Sequence, residues 1–202
     1  FKRTKEVMDV WFDSGAMPFA QDHYPFAKKE ILYPADYIAE AIDQTRGWFY
    51  TLLAIGVLLD RGAPYKNVVC LGHILDQGGK KMSKSVGNVV DPWLMMDKYG
   101  VDVLRFWMYA VNQPGDSKNF DEVSVSEGVK KMLNQLVNVI SFYDLYADKH
   151  LTIKISTPKH LLDRWLFELF NDLTDRVTRY LERYEITETA RAIKDFVTEL
   201  SQ

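Results

Sequence analysis

A lone cysteine, Cys70, leaves no internal disulfide to form and suits a reducing compartment. Cys70 and His73 have a zinc-like spacing, but no second ligand pair accompanies them, so no zinc or other metal site is expected. Long apolar runs are also lacking. The longest, Leu52 to Leu59, is far too short to span a bilayer, which argues against a membrane partner. Basic charge is not in excess either: Lys plus Arg is 25, Asp plus Glu is 28, and the net charge is −3. Any nucleic-acid contact must therefore come from local patches. No secretory or transit segment is visible, and position 1 is Phe rather than Met. These features suggest a piece of a longer cytoplasmic chain.

What is present is globular in character. Hydrophobic residues make up 47% and charged residues 26% of 202 positions, room for one moderate domain or two small ones. The runs "PADYIAE" (Pro34 to Glu40) and "NVVCLGHILD" (Asn67 to Asp76) are rich in strand formers and bounded by turns. Between them, Ile42 to Leu59 reads as a largely buried helix ended by "DRGAP". Strand, helix, strand in about 40 residues is a βαβ unit and predicts a parallel sheet. Ligands of such sheets bind beyond the carboxyl ends of the strands, where Glu40 to Gln44 and Gly72 to Ile74 would lie.

Further along, Asp91 and Pro92 give a helix start, followed by helices towards Tyr99 and from Asp102 to about Val111. "NQPGDSKNF" (Asn112 to Phe120) reads as a linker. Beyond it the pattern is wholly helical. Val129, Met132, Leu133, Leu136, Ile140 and Tyr143 repeat at helical spacing. Thr157 and Pro158 are expected to open a second helix carrying Leu162, Trp165, Leu166, Leu169, Leu173, Val177 and Leu181. A third carries Ile186, Ala190, Ile193, Phe196, Val197 and Leu200. The expected architecture is an α/β half domain with a parallel sheet over residues 1–115, then an antiparallel all-α bundle over 116–202.

The stretch "GGKKMSKSVGN" (Gly78 to Asn88) puts Lys80, Lys81 and Lys84 on a glycine-rich loop. It is not a Walker A loop, because position 74 is Ile and Lys81 stands where a hydroxyl residue is needed. Two readings remain: a solvated lysine-rich turn, or a phosphate clamp. An ammonium held against developing negative charge can stabilise a transition state substantially. Mutual repulsion of the cations predicts a highly mobile loop in the absence of ligand.

"KMSKS" (Lys81 to Ser85) resembles the second signature of the class I aminoacyl-tRNA synthetases. "DVWFDSG" (Asp9 to Gly15), "IDQTRGWF" (Ile42 to Phe49) and "YGVDVLRFW" (Tyr99 to Trp107) stand in the order and spacing of the isoleucyl-tRNA synthetase family. "LDRWLFELFNDLTDRV" (Leu162 to Val177) is similar to the start of that family's tRNA-binding helices. The resemblance implies a Rossmann-like catalytic half domain followed by the start of an anticodon-binding domain. It also implies Mg·ATP, isoleucine and tRNA(Ile) as substrates. Lys81 and Lys84 would act as catalytic cations on the triphosphate. Asp43, Gln44, Gly72, His73, Ile74, Met82, Ser83 and Ser85 would bind ATP. Trp11, Glu40 and Trp48 would line the amino-acid pocket. Lys130, Lys131, Arg164, Arg176, Arg179 and Arg183 are interleaved with acids on the helices, as tRNA contacts or as a solvated surface.

This sequence departs from the family pattern at Ala41, Leu71 and Val137, where glycine, histidine and tryptophan are common. No His-Ile-Gly-His-type signature occurs in the 202 residues, and no editing domain, so the isolated segment is expected to be inactive in adenylate formation. A non-catalytic RNA-binding relative, or a segment of a valyl or leucyl enzyme, stand as alternatives.

Overall fold

A computed structural model describes residues 2–27, 30–147 and 158–202. The expected helix cap at Thr157 lies outside the described residues. The chain forms two compact units, Phe1–His73 and Ile74–Gln202.

In the first unit, helix α1 (Val10–Ala20) precedes strand β1 (Ala35–Ala41), helix α2 (Trp48–Leu58) and strand β2 (Tyr65–Leu71). The two strands pair in parallel from Ala35 opposite Tyr65 to Ala41 opposite Leu71, so the βαβ reading holds. Ile38, Phe49 and Leu52 form the core, with Trp48, Tyr65 and Cys70 packed against it. The expected single helix from Ile42 is two elements. A 3₁₀ turn covers Ile42–Arg46, and α2 begins only after Gly47, whose φ of −141° and ψ of −113° are not helical. The Gln44 side chain explains the break: its Oε1 accepts the Trp48 backbone N–H at 3.0 Å and so serves as a local helix cap. Helices α1 and α2 meet backbone to backbone, since a Cβ on Gly15 would lie 2.6 Å from the Thr51 carbonyl oxygen.

In the second unit, strand β3 (Ile74–Leu75) leads into the lysine loop. Helices α3 (Pro92–Tyr99) and α4 (Val101–Ala110) follow, with Asp91 Oδ1 capping α3 at the Trp93 N–H, 2.8 Å away. The presumed linker is more structured than its turn formers imply. It holds strand β4 (Lys118–Asn119), parallel to β3, and the buried Phe120. Lys118 is 7% exposed, and its ammonium donates to the Gln113 and Asp116 carbonyls at 2.9 and 3.3 Å. Burial lowers its pKa below the usual lysine value.

Val103, Leu104, Trp107, Phe120, Val125 and Val129 form this unit's core. A π-helical stretch (Ser124–Lys130) runs into α5 (Lys131–Tyr146) and turns Val125 and Val129 inward. Trp107 Nε1 donates to Ser124 Oγ at 2.9 Å, giving the buried indole a partner. Helix α6 (Leu161–Glu182) turns through Arg183–Glu185 into α7 (Ile186–Leu200), and a connection this short makes the packed pair antiparallel. Helix α7 also packs on α4 and α5. Its Arg191 donates to the carbonyls of Ala110 and Val111, and its Thr187 to that of Asn112.

The apolar stripes are only partly used. Val129 and Met132 are buried, but Ile140 and Tyr143 on α5 and Leu162, Trp165 and Leu181 on α6 are exposed. Sequence periodicity reports which face is apolar; it does not report whether this chain covers it.

Candidate functional site

The residues singled out from the sequence divide between the two units. In the first, Asp9 caps α1 by accepting the Trp11 N–H at 3.2 Å, which places Trp11 at the head of the helix. The Trp11 ring edge lies against Gly47: a Cβ there would be 3.5 Å from Trp11 Cη2 and 2.8 Å from Gln44 Oε1. Trp48 Nε1 donates to the Ser14 carbonyl at 3.2 Å, joining the first turn of α2 to α1. Trp11, Gln44 and Trp48 are thereby gathered around one glycine. Gln44 Nε2 also reaches Asp43 Oδ2 at 3.4 Å, and the Asp43 carboxylate is exposed. Glu40 is exposed near the carboxyl end of β1, paired in register with Cys70. Gly72 and His73 follow β2 directly and are half-buried. An exposed Trp11 and a half-buried Trp48, with the exposed carboxylates of Glu40 and Asp43 at the end of β1 and on the turn after it, are suited to a small ligand with an apolar part and hydroxyl or amine groups.

In the second unit, Ile74 lies on β3 and the lysine motif follows a tight turn. Asp76 organises that turn. Its N–H donates to the Lys80 carbonyl at 2.9 Å, and its Oδ1 accepts the Lys80 N–H at 2.8 Å. Its Oδ2 accepts Asn88 Nδ2 at 2.7 Å. These hydrogen bonds, that of Asn88 first, hold the Asp76 carboxyl below the usual carboxylate range. Asn88 in turn accepts the Ser83 N–H at 2.9 Å and donates to the Lys81 carbonyl at 3.3 Å. The Val86 and Gly87 N–H groups close on the Ser83 carbonyl, and the Ser83 and Ser85 hydroxyls lie 2.7 Å apart. Met82 packs against the core cluster that contains Trp107.

Hydrogen bonds organise the base of this loop. The Asp76 and Asn88 side chains tie its backbone, and Lys80, Lys81 and Lys84 are exposed. Among the described residues, none of these three lysines is paired with a carboxylate. The structure thus presents exposed ammonium groups on a hydrogen-bonded turn, an arrangement suited to a polyanionic ligand.

Sequence reasoning missed Asp76, Asn88, Ser14, Gly15 and Gly47. For Asp76, Asn88, Gly15 and Gly47 a signal was available, since glycines and Asx residues inside such motifs set close approach or local hydrogen bonds, whereas Ser14 acts through its backbone carbonyl and left none. Among the described residues no group of three or more His, Cys, Asp and Glu side chains could hold a metal ion. No helix of the described residues is long and apolar enough to cross a membrane.

A family model described as "tRNA synthetases class I (I, L, M and V)" matches residues 1–121. The chain belongs to the class I tRNA synthetases. Its sequence relatives sharpen that placement. This synthetase chain is 47% identical to the isoleucine–tRNA ligase of Clostridium tetani (strain Massachusetts / E88), over 99% of its own length and 20% of the relative's. It is 48% identical to that of Bacillus thuringiensis (strain Al Hakam), over 98% and 20%. It spans about a fifth of the length of these curated relatives.

Solved structures agree on the fold. The ternary complex of Agrobacterium radiobacter K84 agnB2 LeuRS with tRNA and LeuAMS matches with a TM-score of 0.79 at 21% identity, covering 98% of the synthetase chain and 27% of that protein. Methionyl-tRNA synthetase of Mycobacterium tuberculosis, in complex with methionyl-adenylate, matches with 0.75 at 21% identity, over 96% and 39%.

Proposed function

We propose that this chain is a segment of an isoleucine–tRNA ligase, which activates isoleucine with Mg·ATP and transfers it to tRNA(Ile). In the first step a carboxylate oxygen of isoleucine bonds to the α-phosphorus of ATP, and the bond from that phosphorus to the β-bridging oxygen breaks. Pyrophosphate leaves with the charge. No covalent enzyme intermediate is required, so positioning and charge stabilisation carry the rate. Lys81 and Lys84 neutralise the departing phosphates. Asp43 and Gln44 hold the ribose, and Gly72, His73 and Ile74 lie along the adenine. Met82, Ser83 and Ser85 shape the phosphate side. Trp11, Trp48 and Glu40 line the isoleucine pocket. Residues 1–115 form the catalytic half domain, and residues 116–202 begin the tRNA-binding helices.

The observation that carries the reading is the lysine loop: a backbone fixed by Asp76 and Asn88 that leaves unpaired ammonium groups exposed. The 47% identity to isoleucine–tRNA ligases supports the choice of amino acid.

ATP–pyrophosphate exchange by the longer enzyme that contains this segment tests it. Exchange driven by isoleucine, and only weakly by valine or leucine, is expected. Exchange driven by valine or leucine in preference, or by no amino acid, overturns the proposal. The 202-residue chain alone is expected to give no exchange.

A further inference from the structure

We infer that Asp76 and Asn88 are positioning residues of the lysine loop: together they form a polar clasp that sets where Lys81 and Lys84 stand. Neither side chain carries a charge that could serve the departing phosphates, and neither belongs to the five-residue motif. The inference rests on the functional reading of the loop given above.

Three features of the geometry carry it. First, Asn88 alone ties together three separate points: the Asp76 carboxylate, the Lys81 carbonyl and the Ser83 N–H, at 2.7, 3.3 and 2.9 Å. The points it joins lie on either side of Met82, so both ends of the motif's first turn are fixed by one amide. Second, Asp76 uses its two oxygens on different partners, the Lys80 N–H and Asn88 Nδ2. An asparagine amide held between a carboxylate, a carbonyl and an N–H has little orientational freedom. Third, Met82 packs into the core cluster while Lys81 and Lys84 stay exposed. The clasp and the methionine together turn the lysine side chains outward. Their position is therefore set before any ligand arrives, which reduces the ordering cost at the moment of reaction.

A hydrogen bond to a charged group contributes more than a neutral one, and losing it leaves the partner unsatisfied. Asn88→Ala should therefore lower kcat for isoleucine-dependent exchange by about tenfold to a hundredfold, with little change in KM for isoleucine. Asn88→Asp should be worse, because two carboxylates would then face each other where the 2.7 Å bond now lies. The second change Asp76→Asn should recover part of that loss, since an amide again meets a carboxylate.

The measurement is pyrophosphate exchange and thermal unfolding of the full-length enzyme for Asn88→Ala, Asn88→Asp, the Asp76→Asn/Asn88→Asp pair and Lys84→Ala. A kcat loss at position 88 with unchanged Tm, partly recovered in the pair, supports the clasp. Loss of Tm in step with kcat, or no recovery in the pair, overturns it. Full kcat for Asn88→Ala beside a crippled Lys84→Ala sinks the clasp alone. Full activity of Lys84→Ala sinks the functional reading on which it stands. Hydrogen exchange gives a readout independent of activity: the Ser83 amide should lose protection in Asn88→Ala, and retained protection contradicts the assignment.

Discussion

The two units position their functional side chains by different means. Around Gly47 close backbone approach works beside a few hydrogen bonds: Gly15 lets α1 reach the backbone of α2, and Gly47 makes room for the Gln44 Oε1 that accepts the Trp48 N–H. In the lysine loop the tools are polar: Asp76 and Asn88 bond to backbone groups, and only Met82 adds apolar contact. The proposed isoleucine pocket would gain from close packing, which tolerates little displacement. A loop with the proposed role of meeting a triphosphate would gain from hydrogen bonds at its base and exposed cations at its tip.

The comparison can be broken by perturbing one device at a time. The largest effect is expected beneath the lysine loop. Trp107 is 2% exposed and hydrogen-bonded to Ser124, so Trp107→Ala should destabilise the second unit by about 3–5 kcal/mol. Hydrogen exchange should show the loss in α4, α5 and the lysine loop, with the first unit spared. Equal loss in both units would mean that they are not separately packed.

Next comes Gly15→Ala. The added methyl would meet the Thr51 backbone at 2.6–2.7 Å, and overpacking of this kind costs about 1–3 kcal/mol. Chemical denaturation followed by tryptophan fluorescence should show the first unit melting earlier. A variant as stable as the parent would refute the claim of backbone contact between α1 and α2.

The smallest effect concerns charge. Glu122 accepts from the Lys98 ammonium and, at 2.6 Å, from the Tyr99 hydroxyl, and both bonds hold its carboxyl below the usual range. A depressed carboxyl adds stability that is fully present above its unfolded pKa, about 4.3, and is lost as pH falls through the folded value. The same bond raises the Lys98 ammonium, whose share is lost only far above neutrality. Because the pair is exposed, Glu122→Gln should flatten the acid limb of the stability–pH profile only slightly. An unchanged acid limb would show that the pair contributes nothing.

The same contrast governs what was legible in the sequence. Strand β1, its parallel pairing with β2 and the Asp91 cap were readable, because each rests on local pattern or on a connection long enough for a crossover, whereas the run expected from Asn67 to Asp76 is divided after Leu71, with Ile74–Leu75 pairing in another sheet. The approach of Trp11 to Gly47 was not readable from pattern, since no periodicity links residues so far apart; resemblance implied only that Trp11 and Trp48 share a pocket. The hydrogen-bonded base of the lysine loop was not legible in the sequence. Repulsion among cations is visible in a sequence, whereas the backbone partners of Asp76 and Asn88 depend on a fold. Likewise Lys118, a residue type expected at the surface, is buried because two carbonyls of its own loop satisfy its ammonium.

The most direct test is single-turnover formation of isoleucyl-adenylate by the full-length enzyme carrying Lys84→Ala. Removal of one donor aimed at developing charge should slow that step by about a hundredfold to a thousandfold, with KM for isoleucine little changed. A rate within about twofold of the parent's, where catalytic donors normally cost far more, would contradict the account.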